Sequence, residues 1–258
     1  MKYILSFLLI ALLGQGALAM IKTETVEYKQ GAAVLEGYLA YDDSFPGKRP
    51  GVMVVHEWMG LNDYAKKRAE QLASLGYVAF AADIYGKGVR PKDTKEAGEQ
   101  VSIYRGDRAL MRARAIAGLE ELKKCPLTDT FKIAAIGYCF GGGTVLELAR
   151  SGAKLNGVVS FHGNLYTPHP EDARNIRAKV LVLHGGDDPY VPAEQVAAFQ
   201  KEMREASVDW QMIIYGGAVH SFTNPASGND PSKGAAYNPE ADRRSWKAMK
   251  QFFSEIFQ

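Results

Sequence analysis

The pentapeptide Gly137-Tyr138-Cys139-Phe140-Gly141 sets a thiol between two glycines, and its flanks give that thiol a place to react. The apolar run Ile133-Ala134-Ala135-Ile136 before it reads as a short buried strand, and Thr144 to Arg150 after it reads as a helix, so Cys139 falls on the turn between them. Such a turn lifts a nucleophile clear of the backbone. It is sharp enough that a Cβ at either flanking position would strike neighbouring main chain, and glycine has no Cβ. The helix that starts there brings its positive dipole end and unpaired amide donors to the thiol, both of which favour thiolate. A cysteine in this position can also be a small apolar filler, and glycine-rich turns after strands also hold phosphates and flavins. The thiol therefore needs partners elsewhere in the chain.

Two candidate partners follow. Leu181-Val182-Leu183 runs into the acid-bearing loop His184-Gly185-Gly186-Asp187-Asp188-Pro189-Tyr190-Val191-Pro192, and Met212-Ile213-Ile214-Tyr215 runs into a loop carrying His220. The order nucleophile, acid, histidine is that of α/β-hydrolases and differs from the chymotrypsin-like and subtilisin-like orders. On position alone Asp187 and Asp188 are equally placed to orient the imidazole. A third loop, His56-Glu57-Trp58, begins at the carboxyl end of the apolar run Val52 to Val55, where open parallel sheets keep their ligand sites. An oxyanion hole needs the amide after the nucleophile, Phe140, and one from this early loop, Trp58. Glu57 there is either a carboxylate that opposes thiolate formation by like charge, or a loop cap solvated at the rim.

From about Thr23 to Phe257 the chain resembles the dienelactone hydrolases (carboxymethylenebutenolidases). Four segments carry the resemblance: His56-Glu57-Trp58-Met59-Gly60, Asp83-Ile84-Tyr85, the Gly-Tyr-Cys-Phe-Gly-Gly turn, and Gly186 to Pro192 taken with His220-Ser221-Phe222. The resemblance implies Cys139 as nucleophile, His220 as base and then acid, Asp188 as its orienting acid, and the Trp58 and Phe140 amides as oxyanion hole. It also implies that Glu57 holds the resting thiol in check until substrate arrives. The family grips a substrate carboxylate with two arginines, and the matching places here hold Lys87 and Asn224. A lysine is a point charge and an asparagine is neutral, so neither reproduces a bidentate clamp. Lys87 could instead be merely solvated, with Arg90 as its substitute. The expected enzyme is a broad esterase or lactonase with at most a modest preference for carboxylate-bearing lactones. Tyr85, Lys87, Phe222 and Asn224 are its expected substrate contacts.

The elements that must position these groups alternate. Thr25 to Lys29 and Val34 to Tyr41 alternate polar and apolar residues across Gln30-Gly31, which predicts an antiparallel hairpin on a sheet edge. Strands at 52–55, 77–81, 133–136, 157–161, 180–183 and 211–215 then alternate with helical stretches near 63–75, 107–123, 142–150, 193–206 and 240–257. Trp246, Met249, Phe253 and Ile256 share one face of the last helix, which is expected against the sheet. The fold class is therefore α/β: a mostly parallel central sheet of the α/β-hydrolase kind, an antiparallel N-terminal hairpin at its edge, and helices on both faces.

Length and composition bound the rest. The chain has 258 residues, 47% hydrophobic, with a formal net charge of +2 spread along it. That is enough apolar content for one large core and offers no basic, aromatic-interleaved stretch for nucleic acid. Lys2, the apolar Tyr3 to Leu13 and the small residues Ala17-Leu18-Ala19 read as a secretory signal cut after Ala19. The expected product is one domain over 20–258, monomeric, periplasmic or secreted, without a stable membrane anchor. A start at Met20 is the alternative. In an oxidising compartment Cys125 and Cys139 invite a disulfide. They lie at opposite ends of a strand, roughly 15 Å or more apart, against a limit of about 7 Å between bridged Cα atoms. His56, His162, His184 and His220 all follow strands and could converge on a metal, but the His56 segment lacks the second histidine of a zincin helix. No cofactor or metal is expected, and the partner is a small ester or lactone. Two other readings remain: a redox-sensing or binding protein on a hydrolase fold, and a thioesterase or peptidase of the same fold.

Overall fold

The computed structural model describes residues 21–258; the expected signal at 1–19 lies outside them. One eight-stranded sheet is built from β1 (Ile21–Gln30), β2 (Ala33–Asp42), β3 (Arg49–Val55), β4 (Val78–Ala82), β5 (Thr128–Tyr138), β6 (Gly157–Phe161), β7 (Lys179–Gly185) and β8 (Trp210–Tyr215). Their spatial order is β1-β2-β4-β3-β5-β6-β7-β8. The β1 and β2 hairpin turns at Gly31, whose φ of 57° suits a residue without Cβ. It pairs antiparallel onto β4, and every later pairing is parallel.

Strands β4 and β6 are buried at every position, as continuous apolar runs covered on both faces must be. Alternation in β3 divides the core. Met53 and Val55 face the layer of α3 (Arg108–Lys124), α4 (Phe140–Arg150) and α5 (Ala193–Glu205), while Val52 and Val54 face α1 (Asp63–Ala73) and α6 (Pro239–Ile256). The aromatic face of α6 packs as expected, with Met249 and Phe253 fully buried and Trp246 partly so.

Two features differ from the sequence reading. Helix α2 (Thr94–Gly106) was not expected; it buries only Ala97, Val101 and Tyr104, so its apolar stripe is thin. Its start is nonetheless marked, because the Asp93 side chain accepts from the Glu96 amide and the Glu96 carboxylate from the Lys92 amide. Strand β5 also begins five residues earlier than read, with a register irregularity opposite Pro50 and Gly51. Cys125 and Cys139 are both free thiols, and Cys125 caps the carboxyl end of α3.

Candidate active site

Parallel strands point their carboxyl ends one way, so the loops after β3 to β8 gather at one rim of the sheet. Cys139 sits between β5 and α4 with φ 54° and ψ −113°, a conformation costly to any residue with a side chain. The surrounding glycines make this turn possible. A Cβ on Gly137 would lie 2.0 Å from the Gly141 carbonyl oxygen, and one on Gly141 would lie 2.3 Å from the Val55 oxygen. Phe140 is the first helical residue, so its amide has no acceptor within α4 and is available to an anion.

His220 is fixed by both neighbours and backbone. Its Nδ1 lies 2.8 Å from Asp188 Oδ2. Its amide donates to the Gly234 carbonyl at 3.1 Å and its carbonyl accepts from Ala236 at 3.0 Å, so the segment 223–238 folds back to hold it. Burial works against charge on this ring. Electrostatic attraction to Cys139, together with the Asp188 carboxylate, outweighs burial and carries His220 well above its ordinary value. Asp188 is buried, and its other oxygen accepts from the Tyr190 amide at 2.9 Å. Asp187 is exposed, with its amide on the Ala218 carbonyl. The geometry thus separates two aspartates that position alone could not.

Glu57 is buried beside this group. Its Oε1 accepts from the Ser221 hydroxyl at 3.1 Å, and its Oε2 from the Asn224 side-chain amide. Burial raises its carboxyl above the ordinary range, opposed by those two bonds. Of the expected substrate contacts, Asn224 is turned to Glu57 and its Oδ1 accepts from Ala226. Lys87 is turned outward, paired with Glu27 on β1. Arg90 lies 3.7 Å from Asp83 and 3.9 Å from Glu36. Phe222 is fully buried, its ring edge-on to His162. Tyr85 donates to the Trp58 carbonyl at 2.9 Å and packs on Phe140. Trp58, Tyr166 and Tyr190 keep much of their surface exposed, and Tyr190 stands edge-on to His220.

Two further histidines are buried, and only the first has side-chain hydrogen bonds within the described residues. His56 places Nδ1 on the Glu57 carbonyl and accepts the Ile84 amide at Nε2, and burial takes it down to about 4. His184 is buried and lowered by that burial. Among the described residues no three His, Cys, Asp or Glu side chains are grouped as metal ligands. Sequence reasoning missed the supports behind the site. Ser221 and Thr223 adjoin His220 in the chain, but Tyr64 and Arg68 come from α1: Arg68 donates to the Thr223 carbonyl at 2.8 Å and to Asp242 at 2.6 Å, and lies over Trp246.

Relatives share this arrangement of chain. A solved structure described as a dienelactone hydrolase-like promiscuous phosphotriesterase from metagenomic libraries superposes with a TM-score of 0.88 at 46% identity, over 92% of this chain and 99% of that one. Another, called m3DLH, gives 0.89 at 46% identity over the same shares. A Yersinia pestis protein named "Putative carboxymethylenebutenolidase" is 28% identical over 232 residues, 86% of this chain and 84% of its own. The sequence pattern of the Dienelactone hydrolase family itself matches residues 35–257, strand β2 through the last helix, so this chain belongs to that family and is a hydrolase acting on esters or lactones.

Proposed function

We propose that the protein hydrolyses small carboxylic esters and lactones through a thioester on Cys139. The Cys139 thiolate adds to the carbonyl carbon, and the oxyanion is received by the amides of Phe140 and Trp58. Collapse breaks the bond to the alkoxide oxygen, which takes its proton from the His220 imidazolium. Neutral His220 then removes a proton from water, hydroxide adds to the thioester, and thiolate leaves as the acid is released. In a lactone the leaving oxygen stays tethered to the acyl chain. The observation that carries this reading is His220 held at Nδ1 by Asp188 at 2.8 Å while interacting electrostatically with Cys139.

Cys139→Ala is expected to abolish at least about 10³-fold of activity on activated esters and on a carboxylate-bearing lactone with its neutral methyl ester, while Cys125→Ala stays active. Iodoacetamide should inactivate the wild type with protection by substrate, and intact mass should show one acyl group on the wild type only. Equal loss in both cysteine variants, or an alkylatable Cys139 with no turnover on the whole panel, sinks the proposal; the second outcome points to a redox sensor. The neighbour described as a promiscuous phosphotriesterase favours adding an aryl dialkyl phosphate to the panel. Export with cleavage after Ala19 belongs to the same proposal, and N-terminal sequencing of the mature protein, which should begin at Met20, checks it.

A further inference from the structure

His162 is the first residue after β6, its ring is fully buried, and the steps above leave it without a task. The Cys139 amide is shared between the Phe161 carbonyl at 3.0 Å and His162 Nδ1 at 3.1 Å. A ring nitrogen that accepts carries no proton, so the proton of the neutral imidazole is on Nε2. Nε2 lies 2.7 Å from Thr223 Oγ1 and donates to it. Thr223 is three residues past His220, and its hydroxyl is 2.6 Å from that of Tyr64. One ring therefore joins the turn that carries the thiol to the loop that carries the imidazole. It also stands edge-on to His220, with centroids 5.3 Å apart. His162 holds this place at φ 39°, another left-handed conformation on a residue with a side chain.

We propose that His162 is a positioning residue: its neutral ring holds the Cys139 amide and the Thr223 hydroxyl together and so aims the thiol at His220. The proposal rests on Cys139 being the nucleophile. Burial, reinforced by the charges of His220 and Arg68, keeps His162 well below its ordinary value. Neutrality is needed on geometric grounds too. A protonated Nδ1 would face the Cys139 N–H donor to donor, and would set a second cation beside His220.

The two bonds can be separated. An asparagine oxygen reproduces the place of Nδ1 and tolerates positive φ, but does not reach Thr223; a glutamine reaches Thr223 from the place of Nε2; a phenylalanine fills the ring volume and makes neither bond. In His162→Phe, kcat should fall about 10²-fold with KM changed less than about threefold, the scale of a misplaced reacting group. Alkylation of Cys139 by iodoacetamide at pH 7 should also fall relative to pH 9, because the thiol no longer faces His220. His162→Asn should stay within about fivefold of wild type in both readouts and exceed His162→Gln. Unchanged kcat and alkylation ratio in His162→Phe overturn the proposal. So does His162→Asn as damaged as His162→Gln while both melt within about 3 °C of wild type. If His162→Phe does not fold, the asparagine and glutamine pair decides alone. Alkylation does not depend on turnover, so it still reads the aim of the thiol if Cys139→Ala retains activity and the nucleophile assignment fails.

Discussion

Asp188 and Asp187 are neighbours with opposite surroundings, one buried on His220 Nδ1 and the other exposed. Asp188→Asn should present an amide or a wrong tautomer to the imidazole and lower kcat by about 10²- to 10⁴-fold, whereas Asp187→Asn should change it less than about twofold. Steady-state kinetics of the two variants check this, and a dead Asp187→Asn would reverse the assignment. Glu57 gives a prediction on pH. Its carboxyl is raised by burial, so between the unfolded and folded values the native chain binds more protons than the unfolded one, and stability falls as pH rises through that window. Glu57→Gln removes the buried charge while its carbonyl can still accept from Asn224 and its amide donate to Ser221. It should melt higher than wild type at pH 8, by roughly 2–4 °C for ~1 kcal/mol in a chain of this size, and the gap should close on acidification. A gap that widens toward low pH would refute the buried-charge account. At this scale the proposed reacting groups could be picked out, because chemistry restricts residue type at positions such as Cys139 and His220. The partners of Lys87 and Asn224 could not, since a side chain's direction depends on residues remote in sequence, Glu27 for one and Glu57 for the other.

Strand-to-helix turns are where element geometry and chemistry meet in this chain. Gly137→Ala and Gly141→Ala would each drive a methyl into backbone oxygen, with no flexible side chain to yield. Each should cost several kcal/mol, on the scale of about 3 kcal/mol or more for a forced steric change, and destroy the turn. Gly98, inside α2, has open space where its Cβ would be, so Gly98→Ala should stabilise by about 0.5–1 kcal/mol. Urea unfolding of the three variants measures both signs, and destabilisation by Gly98→Ala would contradict the packing described. The strands and most helices were readable because they are long and strongly patterned. Helix α2 was not, since three buried positions leave little apolar period, although Asp93-Thr94-Lys95-Glu96 carried a capping signal. The segment 223–238 had no period to read because its work is done by backbone bonds to His220 and Phe222, with short 3₁₀ turns at Pro225–Ser227 and Pro231–Lys233.

Across the molecule, one buried ionic network ties the helical layer behind the site. Arg150, fully buried at the end of α4, donates to Glu202 of α5 at 2.7 and 2.9 Å and to Glu147 at 3.0 Å. Glu147 also pairs with Arg112 of α3, which reaches Asp172 at 2.7 Å. Burial raises the Glu202 carboxyl and Arg150 opposes that, so the pair is a modest source of stability when intact. Breaking it is different. Glu202→Gln leaves Arg150 undercompensated and should cost about 3 kcal/mol in denaturant unfolding, with kcat/KM unchanged because the network does not touch Cys139. An unchanged denaturation midpoint would show that Glu147 alone suffices.

The thiol and its imidazole come from loops separated by β6, β7 and β8, and the amide that aims the thiol is held by a residue after β6. No stretch of chain shorter than this span contains both partners. A nascent or unfolded chain therefore carries Cys139 as an ordinary thiol, with no imidazolium beside it and no turn to present it. Such a chain can be made, moved and handled by other thiol chemistry without acylating itself on every activated ester it meets. On the proposed mechanism reactivity needs both loops in place, and it should be lost early, at the first local opening that frees the 223–238 segment from His220.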